Sequence, residues 1–351
     1  MPTIIKAENL EKYFPIKLGF FRTLTSRSEL AVHAVDGISF QIEKGEIFGL
    51  AGESGSGKTT TGRLLLRLVE PTEGKIYFEG QDITHLGESQ MRSLRRKMQI
   101  VFQDPYESLN PRMTIGDIIA EPLRVLEATH GDKETEERVA STLEDVELSP
   151  PDEFIFRYPH EVSGGQRQRV ATARAFVLTP DFIVADEPVS MLDVSTRAEI
   201  LDLMYRLVEK NKTAFLYITH DLALARHMCD RLGIMYLGKI MEMGTTEQVI
   251  YEALHPYTKA LIDAVPVPDP EAKRIEVVIK GEIPSPVNPP SGCRFHTRCP
   301  AYIGDICRTK EPPLIDVGNN HLVACHLYPG KYQFRKLKTQ EPSIKHTAQV
   351  S

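Results

Sequence analysis

Gly52-Glu53-Ser54-Gly55-Ser56-Gly57-Lys58-Thr59-Thr60, preceded by the apolar run Ile47-Phe48-Gly49-Leu50-Ala51, reads as a strand, a loop and the start of a helix. A loop of the form GxxxxGK[ST] turns successive backbone N–H groups inward around a phosphate chain, because glycine adopts backbone angles that a side chain forbids. The helix beginning near Lys58 adds its positive N-terminal end. Lys58 brings a full charge to the β- and γ-phosphates, and the Thr59 hydroxyl is placed to ligate Mg²⁺. Gly52, Ser54, Gly55, Ser56, Gly57 and Thr60 complete the cradle. The stretch implies a site for a nucleoside triphosphate.

The rest of the chain is consistent with a large protein built around that site. It has 351 residues, 41% hydrophobic and 26% charged, which fits a soluble globular protein with two unequal domains. No run approaches the roughly 20 apolar residues of a membrane helix, and residues 1–9 carry no signal-peptide pattern, so a cytosolic chain is expected. A net charge of −6 argues against broad nucleic-acid binding. Four of the five cysteines, Cys293, Cys299, Cys307 and Cys325, fall in the last quarter. Such clustering in a reducing compartment points to metal more than to disulfides.

Taken in order, Ile4 to Phe14 reads as a first strand ending in Tyr13 and Phe14, either of which can stack on a base or pack into a sheet. Lys17 to Ser28 reads as a basic extended loop holding Phe20 and Phe21. Ala34 to Ile42 alternates apolar and polar residues and leads through a turn into the phosphate-loop strand. Gly74 to Gly80 and Met98 to Phe102 read as further strands, the latter ending at Gln103 with Asp104-Pro105 forcing a loop. Gln103 is there either a turn residue or a side chain that reaches the metal. Residues 106–165 switch to helical periodicity, with Ile115 to Leu126 and Glu134 to Val146 amphipathic.

Ser163-Gly164-Gly165-Gln166 opens a helix running to Leu178, as a helix cap or a second anion-facing corner. Phe182 to Asp186 is a continuous apolar strand ending in the carboxylates Asp186 and Glu187, the pattern of a strand buried on both faces whose carboxyl end meets a ligand. Asp186 suits the Mg²⁺ shell and Glu187 suits polarising a water for attack on the γ-phosphate. Ala214 to Thr219 is another strand, ending at His220, an imidazole able to hold a phosphate oxygen or position the water. Leu232 to Leu237 and Lys239 to Gly244 form a strand pair, and Thr246 to Ala253 a last helix.

These motifs, in this order, resemble the nucleotide-binding subunit of an ABC transporter over about residues 4–255. Gly52 to Thr59 is similar to the Walker A loop, Gln103 to the Q-loop and Ser163 to Gln166 to the signature. Asp186-Glu187 is similar to Walker B with its catalytic glutamate, His220 to the switch histidine and Asp193 to the D-loop aspartate. The resemblance implies an α/β fold: a P-loop (RecA-like) ATPase core with a β-rich N-terminal subdomain and a helical signature subdomain. It also implies ATP and Mg²⁺ as cofactors, with Thr59, Gln103 and Asp186 in the metal shell, and a base stacked on Tyr13 or Phe14. Two such subunits meet head to tail, so Ser163, Gly164, Gly165, Gln166 and Asp193 would serve the ATP of the other subunit. Val162 stands where leucine is usual and Val189 where threonine is usual; neither change is expected to remove activity.

Phe102 to Arg112, Arg157-Tyr158-Pro159-His160-Glu161 and His255-Pro256-Tyr257-Thr258 resemble the dipeptide/oligopeptide importer subfamily, and Leu66-Arg67-Leu68-Val69-Glu70-Pro71-Thr72 with the long loop after Phe14 resembles its F-type ATPase rather than its D-type. That implies a non-identical sister ATPase, two transmembrane permeases and an extracytoplasmic solute-binding protein, with the chain peripheral on the cytoplasmic face of the membrane. Subfamily members also import oligosaccharides or nickel. Residues 256–290 read as a Pro-rich linker, 291–335 as a small Cys-containing C-terminal domain and 336–351 as a mobile tail. The gaps of five, seven and seventeen residues between the four cysteines depart from the short gaps of zinc sites. The region is similar to one in peptide-importer ATPases that holds a [4Fe–4S] cluster, with zinc the alternative. Cys229 reads as a packed small hydrophobe.

Overall fold

The computed structural model of the protein describes residues 1–16, 30–264 and 281–328. The basic loop with Phe20 and Phe21, much of the Pro-rich stretch and the C-terminal tail lie outside the described residues.

Two sheets organise the described chain. β1 (Thr3–Pro15), β2 (Ala31–Glu43), β4 (Glu73–Phe78) and β5 (Gln81–Asp82) form an antiparallel sheet in the order β2-β1-β4-β5. The larger sheet has eight strands, with β11 (Ile315–Asp316), β12 (Leu322–Val323) and β10 (Lys239–Thr245) at one edge, in the order β11-β12-β10-β9-β3-β8-β7-β6. Its centre is β3 (Ile47–Ala51), β8 (Ala214–Thr219), β7 (Phe182–Asp186) and β6 (Met98–Val101), all parallel, with β9 (Arg231–Tyr236) parallel on the other side of β3. Every residue of β3, β7 and β8 is buried. Continuous apolar runs are what a strand covered on both faces requires.

One core lies between the two sheets, where Ile5, Leu10 and Ile42 meet Phe48, Leu50 and the helix Lys58–Leu65 that follows the phosphate loop. The second core covers the opposite face of the large sheet and continues into the helical region through Ile115, Ile119, Leu143 and Phe176. That region comprises the helices Ile115–Val125, Asp132–Asp145 and Gly164–Phe176, capped by Thr114 and Ser163 at the ends of the first and third.

The C-terminal part departs from the sequence reading. Residues 256–263, expected to begin a linker, are a helix: Pro256 occupies its first turn, where the missing N–H is no loss, and Tyr257 is fully buried. The helix Thr246–Tyr251 is therefore not the last. The Cys-bearing segment is joined to the rest of the chain by packing and by strand pairing. Phe295 and Cys293 pack into the core on one face of the large sheet, and β12 (Leu322–Val323) adds to β10 (Lys239–Thr245) with β11 (Ile315–Asp316) beyond it. Val317 and Val323 add a small apolar cluster with Leu254.

Candidate functional site

Because β3, β6, β7 and β8 run parallel, their carboxyl ends share one edge of the sheet, and the polar residues that follow each strand converge there. The Thr59 hydroxyl donates to Asp186 Oδ1 at 2.9 Å, joining the helix after β3 to the end of β7. Gln103 Nε2, after β6, donates to Glu187 Oε2 at 3.2 Å. His220 Nδ1, after β8, lies 3.1 Å from the same oxygen. Glu187 itself has φ 46°, in the left-handed region, a conformation that strains a non-glycine residue and clusters at functional positions.

The phosphate loop is shaped by two glycines with no room for a side chain. A Cβ on Gly52, at φ 151°, would meet the Met235 carbonyl oxygen at 2.1 Å; one on Gly57, at φ 106°, would meet the Ala34 carbonyl oxygen at 2.0 Å. The Lys58 ammonium is folded inside the loop and donates to the carbonyls of Gly52 at 2.8 Å and Glu53 at 2.9 Å. Burial pulls its pKa below the ordinary lysine value, against the carboxylates of Glu187, Asp186 and Glu53. Burial likewise pushes Asp186 above the usual carboxylate range, against the Thr59 hydrogen bond. A dehydrated cation beside a dehydrated carboxylate is suited to a polyphosphate and a divalent ion, which supply the opposite charges.

A cleft of about 670 Å³ opens over this edge, lined by Ser54, Gly55, Gly57, Lys58, Thr59, Thr60, Gln103, Glu187 and His220. Its far wall is Phe14 with Val32, Ala34 and Pro286. Phe14 is exposed into it, whereas the Tyr13 hydroxyl donates to Asp36 Oδ1 at 2.7 Å and its ring lies 4.3 Å from that of His33. The two neighbours point to opposite faces of β1, as strand alternation demands.

Ser163, Gly164, Gly165, Gln166 and Asp193 are not among the residues lining that cleft. Ser163 and Gln166 cap the helix Gly164–Phe176 reciprocally, Gln166 N donating to Ser163 Oγ at 3.2 Å and Ser163 N to Gln166 Oε1 at 3.0 Å. Asp193 caps the helix Val194–Asn211, and hydrogen bonds from the Thr196 amide and the Ser195 and Thr196 hydroxyls hold its pKa down at about 2. Arg167, on the helix Gly164–Phe176, stacks on the Tyr106 ring at 3.9 Å and so ties that helix to the short helix Pro105–Ser108 that follows Gln103.

The cysteines come near one another without forming a chelate for one ion. Burial pushes the Cys293 thiol up to about 12, with smaller contributions from Cys325, Cys299 and Cys307, and the Cys293 amide donates to the Cys307 carbonyl at 2.8 Å. Among the described residues no three His, Cys, Asp or Glu side chains are close enough together to hold a metal ion. Cys229 is buried at the end of the helix Leu222–Met228, its thiol pushed upward by burial.

The sequence reading passed over Glu53, Asp36, Arg294 and Arg298. Arg298 grips the Glu53 carboxylate with two hydrogen bonds, Nη1 to Oε2 at 2.7 Å and Nη2 to Oε1 at 3.1 Å. Arg294 pairs with Asp36. The only local signal was a pair of arginines set between two cysteines.

Comparison with known proteins agrees with this geometry. Residues 35–190 match the family described as ABC transporter, and residues 241–307 match the oligopeptide/dipeptide transporter C-terminal region. The chain is 49% identical over 332 residues to the oligopeptide transport ATP-binding protein AppF of Bacillus subtilis (strain 168), covering 93% of this chain and 98% of that protein. It is 50% identical over 299 residues to the putative oligopeptide transport ATP-binding protein YkfD of the same organism, covering 85% and 90%. Among solved structures, it resembles the dimeric post-hydrolysis state of the ATP-binding cassette MJ0796 bound to ADP and Pi. There the TM-score is 0.60 at 29% identity, over 69% of this chain and 99% of that one.

Proposed function

Because the chain belongs to the ABC transporter family, among the ATP-binding subunits of its oligopeptide/dipeptide group, we propose that its ATP hydrolysis drives the import of short peptides. The observation that carries the reading is the convergence of Lys58, Thr59, Gln103, Asp186, Glu187 and His220 on one sheet edge beneath a single cleft. The peptide cargo is supported by the names of the relatives; the oligosaccharide and nickel readings have no such support.

The geometry supports the following roles. Lys58 and the loop amides bind the phosphates, and the base stacks on Phe14, which faces the cleft, while Tyr13 holds Asp36. Thr59, Gln103 and Asp186 offer the hard oxygen donors that suit Mg²⁺, which when bound neutralises charge on the transferring phosphoryl group. Glu187 takes a proton from the attacking water, and His220 holds Glu187 and the γ-phosphate in line. Ser163 to Gln166 and Asp193, standing outside the cleft, close over the ATP of a sister subunit, which is a non-identical ATPase. The assembly sits with two permeases on the cytoplasmic face of the membrane and receives cargo from an extracytoplasmic binding protein. Cys293, Cys299, Cys307 and Cys325 would hold a [4Fe–4S] cluster as a structural staple. What supports that reading is the sulfur-only donor set and the resemblance of the segment to the cluster-bearing region of peptide-importer ATPases.

Affinity purification from detergent-solubilised native membranes tests the assembly. Recovery of two multi-span permeases and a second ATPase supports it, and recovery of only soluble partners overturns it. Iron and acid-labile sulfide, measured on the same preparation, test the cluster.

A further inference from the structure

We infer that the segment between Cys293 and Cys299 is a strut that sets the shape of the nucleotide site, with Arg298 as the positioning residue for the phosphate loop; this rests on the ATP-site reading above. Glu53 occupies a variable position of that loop and is not among the residues lining the cleft. Arg298 grips its carboxylate bidentately and, through Nη1, also meets the Tyr236 hydroxyl at 3.3 Å. The Glu53 amide donates to the Tyr257 hydroxyl at 2.9 Å. Glu53 is thus held at both its backbone and its side chain. Those holders are themselves packed: the rings of Tyr236, Tyr257 and Phe295 lie 4.7 to 5.4 Å apart, and Arg298 is 9% exposed.

Four residues earlier on the same segment, Arg294 pairs with Asp36, which accepts from the Tyr13 hydroxyl next to Phe14. Pro286 lines the cleft and its carbonyl accepts from the His33 amide at 2.9 Å. The C-terminal segment therefore touches both ends of the nucleotide site, the phosphate loop through Arg298 and the base end through Arg294 and Pro286. The Glu53 carbonyl is one of the acceptors of the Lys58 ammonium, so a displaced Glu53 also displaces the lysine. Lysine in place of Arg298 keeps the charge but not the two-pronged grip.

The test is a double-mutant cycle on the full chain, reading the Kd of a fluorescent ATP analogue with Mg²⁺ and the KM and kcat of ATP hydrolysis. Arg298→Gln and Glu53→Gln should each weaken binding by about tenfold, the size expected for losing a charge-assisted pair. The double variant should be no weaker than either single, because one interaction is lost in all three. Arg298→Lys should fall between wild type and Arg298→Gln, and KM should rise more than kcat falls. Affinities within twofold of wild type, multiplicative losses in the double variant, or a loss confined to kcat would overturn the strut. A lowered melting temperature with unchanged Kd would also overturn it, leaving Arg298 a purely structural residue. Wild-type protein that binds no better than Lys58→Ala would instead remove the ATP-site reading.

Discussion

Nδ1 of His220 lies 3.1 Å from Oε2 of Glu187, so the end of β8 bears directly on the carboxylate that follows β7. Gln103 approaches the same oxygen from the third strand. Glu187→Gln keeps the shape and removes the base. ATP binding should persist while turnover falls by about 100- to 10,000-fold, the range for a positioned general base. Phosphate release and nucleotide binding on one preparation check this, and wild-type turnover would withdraw the role of Glu187.

Phe14 and Tyr13 separate by face. Phe14→Ala should weaken ATP binding by about tenfold, in line with roughly 1–3 kcal/mol for a base stacked on an aromatic ring. Tyr13→Phe keeps the ring and removes only the hydroxyl held by Asp36, so it should weaken binding less. Titration of both variants with the fluorescent nucleotide decides, and the reverse order would give the stacking to Tyr13.

Gly57 and Gly55 offer a matched pair. Both have positive φ, at 106° and 76°, but a Cβ on Gly57 strikes the Ala34 carbonyl and one on Gly55 meets nothing within 4 Å. Gly55→Ala should carry only the left-handed strain, about 1–2 kcal/mol. Gly57→Ala must also move the loop, and should lose nucleotide binding by more than tenfold relative to Gly55→Ala. Equal losses would mean the loop yields without a change of shape.

His255 is buried, its Nδ1 accepting from the Tyr257 amide at 3.0 Å, and burial holds its pKa down at about 3. A histidine depressed in the folded chain binds its proton only after unfolding. Stability is therefore full above the ordinary histidine pKa near 6.5 and is lost as pH falls from there toward 3, by at most about 1.4 kcal/mol per pH unit. His255→Asn keeps an acceptor for the Tyr257 amide and should flatten that part of the pH profile in urea melts. An unchanged slope would assign it to other groups.

Much of the site was legible because its chemistry is local. The glycine loop, the apolar strands that end in Asp186-Glu187 and His220, and the switch to helical period after Tyr106 are patterns within ten or so residues. What could not be read was contact between distant segments. Arg298 and Glu53 stand 245 positions apart, and no periodicity links them. Tyr13 and Phe14 could not be told apart because their facing depends on register, which shifts between Lys12 and Tyr13 where β1 pairs with β2. Residues 256–263 read as the start of a Pro-rich linker, although proline is equally at home in a helix's first turn.

β12 covers only a short part of β10, pairing Val323 with Glu242 and Leu322 with Met243, while Ala324 donates to the Met241 carbonyl at 2.8 Å. His321 reaches in beside it to the fully buried Glu242 at 2.8 Å. A chain cut after Asp263 would keep the residues of the catalytic edge, yet it would bare the hydrogen-bonding groups of β10 and leave Glu242 with the Leu254 and His255 amides but without His321. Open strand edges recruit other strands. Such a shortened chain should cloud and precipitate as it is concentrated, and trimming the protein to its ATPase body, the obvious way to simplify it, would trade solubility for size.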